Sequence, residues 1–192
     1  MVILGIDPAL NRVGYGILFY DEKNNIITDY KYGVYDILRS DTTEQKLNKS
    51  YEMTRYLIEK YNVDEVAIEK AFHNPKRAKG GMLVREAIGA LKVAATQENK
   101  PIHLYSPQTV KKIIAGSGAA TKVEVALMIA EILNISEFEI NRRFRGKMER
   151  FVYTPKELVD NGLDHVTDAL SISYCRFKEI KEEWEGVGGS AV

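Results

Sequence analysis

Three stretches near the start of the chain, residues 3–6, 15–20 and 26–35, carry the apolar runs and alternation of β-strands. A turn around residues 8–11 and the polar cluster Asp21-Glu22-Lys23-Asn24-Asn25 separate them. Links this short predict antiparallel hairpins. From Asp41 the period changes: a polar cap precedes Leu47, Tyr51, Thr54, Leu57, Ile58 and Tyr61, the spacing of an amphipathic helix. A short apolar strand over 64–68 follows and ends on Glu69. A long helix is expected over 78–97, with Gly89 and Ala90 permitting close packing, and then a strand over 102–105. Ser106-Pro107 opens another helix with proline in its first turn. The Gly116-Ser117-Gly118 break leads into a helix over 121–133, residues 134–162 are less regular, and a last helix is expected over 164–184. Hairpin strands followed by alternating helices and strands predict an α/β fold, a mixed sheet flanked by helices. The chain has no internal repeat and no linker rich in Pro or Ser, so the expectation is one domain over 1–185 with a flexible tail over 186–192.

Length and composition narrow the class without naming a function. A chain of 192 residues with 45% apolar and 28% charged side chains suits one well-buried core. No apolar run reaches the length that crosses a bilayer, and the amino terminus enters a strand pattern without a basic segment and apolar signal core. A cytoplasmic protein with no membrane partner is expected. The formal net charge is zero, so any grip on nucleic acid must come from local clusters of basic residues rather than from the whole surface. The single cysteine, Cys175, has no partner for an internal disulfide, and its setting in LSISYCRF is that of a small core thiol.

Asp7 raises the chemical question. It ends the apolar run ILGI ahead of a proline, where an ionised carboxylate is costly to bury without a counter-charge or metal ion. Glu69 ends the VAI strand in the same way. If a right-handed helical crossover makes these two strands parallel neighbours, the two carboxylates face one another. The segment GLDHVTDALSIS adds Asp164, His165 and Asp168. His165 and Asp168, three apart, share a helical face, and Asp164 and Asp168, four apart, nearly do. Carboxylates crowded in a crevice repel unless a cation intervenes, and oxygen donors with one imidazole suit Mg²⁺ or Mn²⁺ better than zinc. Two plainer readings stay open: Asp164 as the N-cap of the last helix, and His165 as a packed or helix-terminal histidine.

Four segments together, ILGIDPALNRVGYGIL, VAIEKAF, PIHLYSPQTVKKIIAGSGAATKVEV and HVTDALSIS, resemble in order and spacing the RuvC Holliday-junction resolvases of the RNase H-like superfamily. The resemblance implies an RNase H-like sheet, three antiparallel strands followed by parallel ones. It also implies that Asp7, Glu69, His165 and Asp168 form the catalytic, metal-binding set, with Asp164 in reserve as a ligand. Two Mg²⁺ ions per active site, about 4 Å apart, are implied, with Mn²⁺ able to substitute. The implied activity is symmetric nicking of four-way junction DNA in recombination and repair by a homodimer, leaving a 5′ phosphate. A branch-migration helicase complex is a further partner the resemblance leaves open. Two alternatives also stay open: a broader branched-DNA nuclease of the same fold, and a catalytically silent junction-binding scaffold.

Three segments carry local positive charge for phosphates. Lys111 and Lys112 lie in the helix after Ser106-Pro107, and Lys122 opens the next helix after a turn whose amides suit a phosphate. The resemblance aligns Lys111 and Lys122 with residues that contact junction DNA. The second segment, AFHNPKRAKGG, offers Phe72 as a wedge stacking on bases, or else as a plug on the sheet, with Lys76, Arg77 and Lys79 beside it. The third is NRRFRGKMERF, where Arg142, Arg143, Arg145, Lys147 and Arg150 either clasp a DNA arm or solubilise a loop. The stretch over 136–163 is longer than the family's connection, and Ala9 stands where the family usually has glycine after Asp-Pro. The family's pattern also changes around Val84 to Gly89.

Overall fold

The computed structural model describes residues 1–71, 78–144 and 147–188, with 78–80, 142–144 and 184–188 described by backbone alone. Its five-stranded sheet has the order β3-β2-β1-β4-β5, with β1 Val2–Asp7, β2 Arg12–Asp21, β3 Ile26–Asp36, β4 Glu65–Glu69 and β5 Ile102–Tyr105. The first three strands pair antiparallel, while β4 runs parallel to β1 and β5 parallel to β4. This is the mixed α/β sheet expected. Crossover helices α1 Thr43–Tyr61 and α2 Ala78–Gln97 connect β3 to β4 and β4 to β5. Helices α3 Pro107–Ala115, α4 Lys122–Ile132 and α6 His165–Gly188 follow, with a short α5 at Pro155–Asp160.

Helix starts follow side-chain chemistry. Thr42, Thr121 and Thr154 each accept a hydrogen bond from the backbone of the third helical residue, and the Gln or Glu there answers back to the threonine backbone. Ser106 caps α3, with Pro107 at its first position.

Strand parity decides what each face of the sheet meets. Leu4, Ile6, Val13, Ile17, Val66 and Ile68 pack with Met53, Leu57, Leu91 and Ala95 from α1 and α2. The alternate positions, among them Ile3, Leu18 and Ala67, pack with Val166, Leu170 and Phe177 of α6. Because successive side chains point to opposite faces, Asp7 follows Ile3 and Gly5 toward α6, and Glu65 and Glu69 flank Ala67 on that same side.

Helix α6 lies unusually close to the sheet there. A Cβ on Gly5 would come within 2.2 Å of the Ala169 carbonyl oxygen, one on Gly14 within 2.0 Å of the His165 carbonyl oxygen, and one on Gly16 within 2.6 Å of the Leu170 nitrogen. Gly5 pairs with Gly16 and Asp7 with Gly14 across β1 and β2, so the glycines form one bare stripe under the first turns of α6.

Gly89 on α2 does not serve close packing, since a Cβ there would meet nothing within 4 Å, and the structure departs from the sequence expectations in two further places. Residues 134–162 are not irregular: β6 Phe138–Phe144 and β7 Lys147–Tyr153 form an antiparallel two-stranded sheet, followed by α5. The hairpin is anchored at its base, where Phe138 and Ile140 are buried, Phe138 meets the Tyr32 ring edge-on, and the Tyr32 hydroxyl accepts from the Glu139 N–H at 3.1 Å. Helix α6 also runs on to Gly188, past the expected end at Trp184 and into the stretch expected to be tail.

Candidate active site

The carboxyl ends of β1 and β4 and the first turn of α6 bring Asp7, Glu69, Asp164, His165 and Asp168 to one end of the sheet. Ile6 pairs with Ile68, so Asp7 and Glu69 stand one step beyond matched positions on parallel neighbours. The glycine stripe draws His165 down, and its Nδ1 lies 2.5 Å from Asp7 Oδ2. Asp7 and Asp164 are each only 8% exposed, too buried for bulk water to screen their charges.

Burial and mutual repulsion govern the acids. The Glu69 carboxyl is pushed up to about 8, first by burial and then by the charges of Asp7 and Asp168. Asp168 is pushed up to about 7, again first by burial and then by Asp7. At His165 burial opposes the charged imidazolium, but the hydrogen bond to Asp7 and the surrounding acids outweigh it and raise its pKa. Asp164 stands directly ahead of α6. Its carbonyl accepts the Asp168 N–H and the Thr167 hydroxyl, both at 2.9 Å, while its carboxylate pairs with Lys122. The observed side-chain partner is therefore an ammonium rather than a helix N–H.

Lys122, the first residue of α4, places Nζ against Asp164 Oδ2 and 3.5 Å from Asp168 Oδ2. Burial opposes its charge, yet Asp168 and Asp164 raise its pKa further. Lys111, half-buried on α3, lies close enough to lower the Glu69 carboxyl, while Lys112 is exposed. Among the described residues no three His, Cys, Asp or Glu side chains are arranged to hold a metal ion as they stand. The chain's own ammonium lies in the carboxylate cleft instead, and His165 is bonded to Asp7. The donor set nonetheless fits a hard divalent cation: oxygen ligands, one imidazole, and repelling carboxyls that already attract a positive charge.

Other candidates fall elsewhere. Phe72, Lys76, Arg77 and Arg145 lie outside the described residues, and for Lys79 on α2 and Arg142 and Arg143 on β6 only the backbone is described. On β7, Lys147 is exposed and Arg150 pairs with Glu139. Two features escaped sequence reasoning. The pairing of Lys122 with Asp164 spans 42 residues and has no local signature. The glycine stripe did leave one, since Gly14 and Gly16 fall two apart on one face of a strand.

A family model described as crossover junction endodeoxyribonuclease RuvC matches residues 3–141. The chain belongs to this RuvC family. A RuvC of Alkaliphilus oremlandii is 33% identical over 175 residues, covering 91% of this chain and 92% of that one. The structure of Thermus thermophilus RuvC is 26% identical with a TM-score of 0.64, over 92% of this chain and 94% of that one. A second T. thermophilus RuvC structure, in complex with Holliday junction substrate, has a TM-score of 0.73 at 24% identity over 95% and 96% of the two chains, a likeness of fold. The match to the family model ends inside β6, so α5 and the acids of α6 lie beyond that model, although the A. oremlandii relative is similar over 91% of this chain.

Proposed function

We propose that the chain is a crossover junction endodeoxyribonuclease that resolves four-way DNA junctions, with Asp7, Glu69, His165 and Asp168 as its catalytic set. Membership of the RuvC family supports the activity. The observation that carries the residue assignment is the convergence of three carboxylates from β1, β4 and α6, each within electrostatic reach of the other two. A catalytically silent scaffold would have no use for such costly crowding.

Asp7, Glu69 and Asp168, with His165, would hold divalent ions, Mg²⁺ or Mn²⁺. Bound there, such ions would lower the pKa of a water and offset the charge that develops on the transferring phosphate. The side chains do the rest. Asp7 fixes the His165 ring through Nδ1, leaving Nε2 as the nitrogen that can take or give a proton. Lys111 and Lys122 offset phosphate charge beside carboxylates that would otherwise repel the DNA backbone. The closeness of α6 to the sheet keeps the imidazole and Asp168 from drifting away from Asp7. Two such sites in a homodimer would suit the two-fold symmetry of a junction and paired nicks leaving 5′ phosphates.

Asp7→Asn tests the reading. In Mg²⁺ the wild type is expected to nick a mobile four-way junction on two strands of like polarity, and the variant to lose roughly a thousandfold or more in rate. The variant should still shift the junction in a gel, because it removes a negative charge that faces phosphate. Equal nicking by both proteins would overturn the residue assignment. Comparable wild-type rates on flap, three-way and plain duplex DNA would favour the broader nuclease.

A further inference from the structure

We infer that Asp164 is a positioning residue rather than a metal ligand: it anchors Lys122 so that the ammonium stays in the cleft over Asp168. The inference rests on the nuclease reading for its consequence, but its geometry is independent of that reading. Asp164, directly ahead of α6, stands one helical turn before Asp168, and Lys122 Nζ touches the first and lies 3.5 Å from the second. Both ends of the contact are held from behind. The Asp164 backbone is fixed by the Thr167 hydroxyl and the first hydrogen bond of α6, both at 2.9 Å. Lys122 is fixed by the capping box at Thr121, whose N–H donates to Glu124 Oε2 at 2.6 Å.

The division of labour among the acids supports this assignment. Asp7 is engaged by His165, and Asp164 by Lys122, whereas Asp168 is met by Lys122 only at the longer distance. A lysine side chain has four rotatable bonds and an exposed stem, so without an anchor it would spread over many rotamers in solvent. Asp164, 8% exposed and facing that lysine, restricts it to one place. There the ammonium is a fixed positive charge where phosphate must approach, a preorganised electrostatic element of the kind that acts in the transition state.

Mn²⁺ calorimetry on the full chain, together with a cleavage cycle, separates an anchor from a ligand. As an anchor, Asp164→Asn leaves Mn²⁺ affinity within about threefold of wild type or tightens it, and Lys122→Met tightens it, because a competing cation is removed. In single-turnover cleavage of the junction at saturating Mg²⁺, each variant loses about tenfold, and the double variant loses no more than either single one. Asp164→Glu, which keeps the charge, recovers part of the loss. Mn²⁺ binding weakened more than about tenfold by Asp164→Asn would overturn the inference in favour of ligation, and so would additive losses in the cycle. If the wild type fails to cut junctions, the nuclease reading falls while the calorimetric comparison still decides whether Asp164 anchors Lys122.

Discussion

Strand β4 begins and ends with a glutamate, and the two have opposite fates. Both Glu65 and Glu69 flank Ala67 on the α6 side of the sheet. Glu65 receives Arg176 of α6, whose Nε donates at 2.6 Å, and the same guanidinium reaches Glu183 at 3.1 Å and Glu179 at 3.5 Å. Nearby, the Tyr105 hydroxyl donates to Glu179 at 2.5 Å. Glu69, at the other end of the strand, faces Asp7 and Asp168 with Lys111 and Lys122 at a distance, and its carboxyl is raised rather than satisfied. One helix thus carries a cluster in which the glutamate of β4 has a direct ion pair, and another in which, among the described residues, Glu69 has none. The first is a joint between helix and sheet, and the second stores repulsion that a divalent ion or a phosphate-bound ion can relieve. The lesson is that a buried acid points to a site where it lacks a direct ion-pair partner.

The sharpest break of that comparison is catalytic. Loss of roughly a thousandfold in junction nicking is expected for Glu69→Gln, as for Asp7→Asn, while Glu65→Gln should cut at nearly the wild-type rate per folded molecule. A Glu69→Gln enzyme cutting at wild-type speed would erase the distinction. Stability should show the reverse order. Arg176→Met strands Glu65 in a partly buried place and is expected to cost roughly 3 kcal/mol in urea unfolding. The stripe that joins the clusters to the sheet is tested by Gly14→Ala, whose new methyl would meet the His165 carbonyl; about 2 kcal/mol of overpacking is expected, with a further loss of cutting rate as His165 is displaced.

The smallest effect expected is a pH dependence of the metal-free protein. Glu69 and Asp168 have raised carboxyls, so the fold holds protons that the unfolded chain, with carboxyls near about 4, releases. Their contribution is fully present below that unfolded value and is lost as pH rises through about 7 for Asp168 and about 8 for Glu69. Urea midpoints should therefore fall between about pH 5 and about pH 9, Mg²⁺ should restore them at the alkaline end, and Glu69→Gln should flatten the fall by roughly 1 kcal/mol. A metal-free protein equally stable across that range would contradict the raised carboxyls of Glu69 and Asp168.

Much of this was legible locally. The turn at residues 8–11, the polar cap over residues 41–44, where Thr42 turns out to be the capping residue, and the Ser106-Pro107 start are short-range chemistry, and each appears where the pattern puts it. Asp7 and Glu69 stand out because a charged residue ends an apolar strand, a signal carried by neighbours in sequence. The hairpin over β6 and β7 was missed although Phe138 and Ile140 alternate with Glu139 and Asn141, and Phe151 and Tyr153 flank Val152. Arginines interrupt the apolar period after two repeats, and on the facing strand Lys147 to Arg150 are exposed. The glycine stripe was readable as spacing, but not as a helix seat, since the helix that occupies it lies about 150 residues further along.

By itself the amino-acid order determined the succession of strands and helices, the parity that turns Asp7, Glu65 and Glu69 to one face, and the acid-rich start of the last helix. These depend on backbone periods and on contacts within a few residues. Only the tertiary structure decided which acids meet a cation: Arg176 reaches Glu65, and Lys122 reaches Asp164, while Glu69 and Asp168 are left raised. Charge compensation depends on distances of a few ångströms between residues far apart in the chain, and the packing of α6 on three glycines sets those distances.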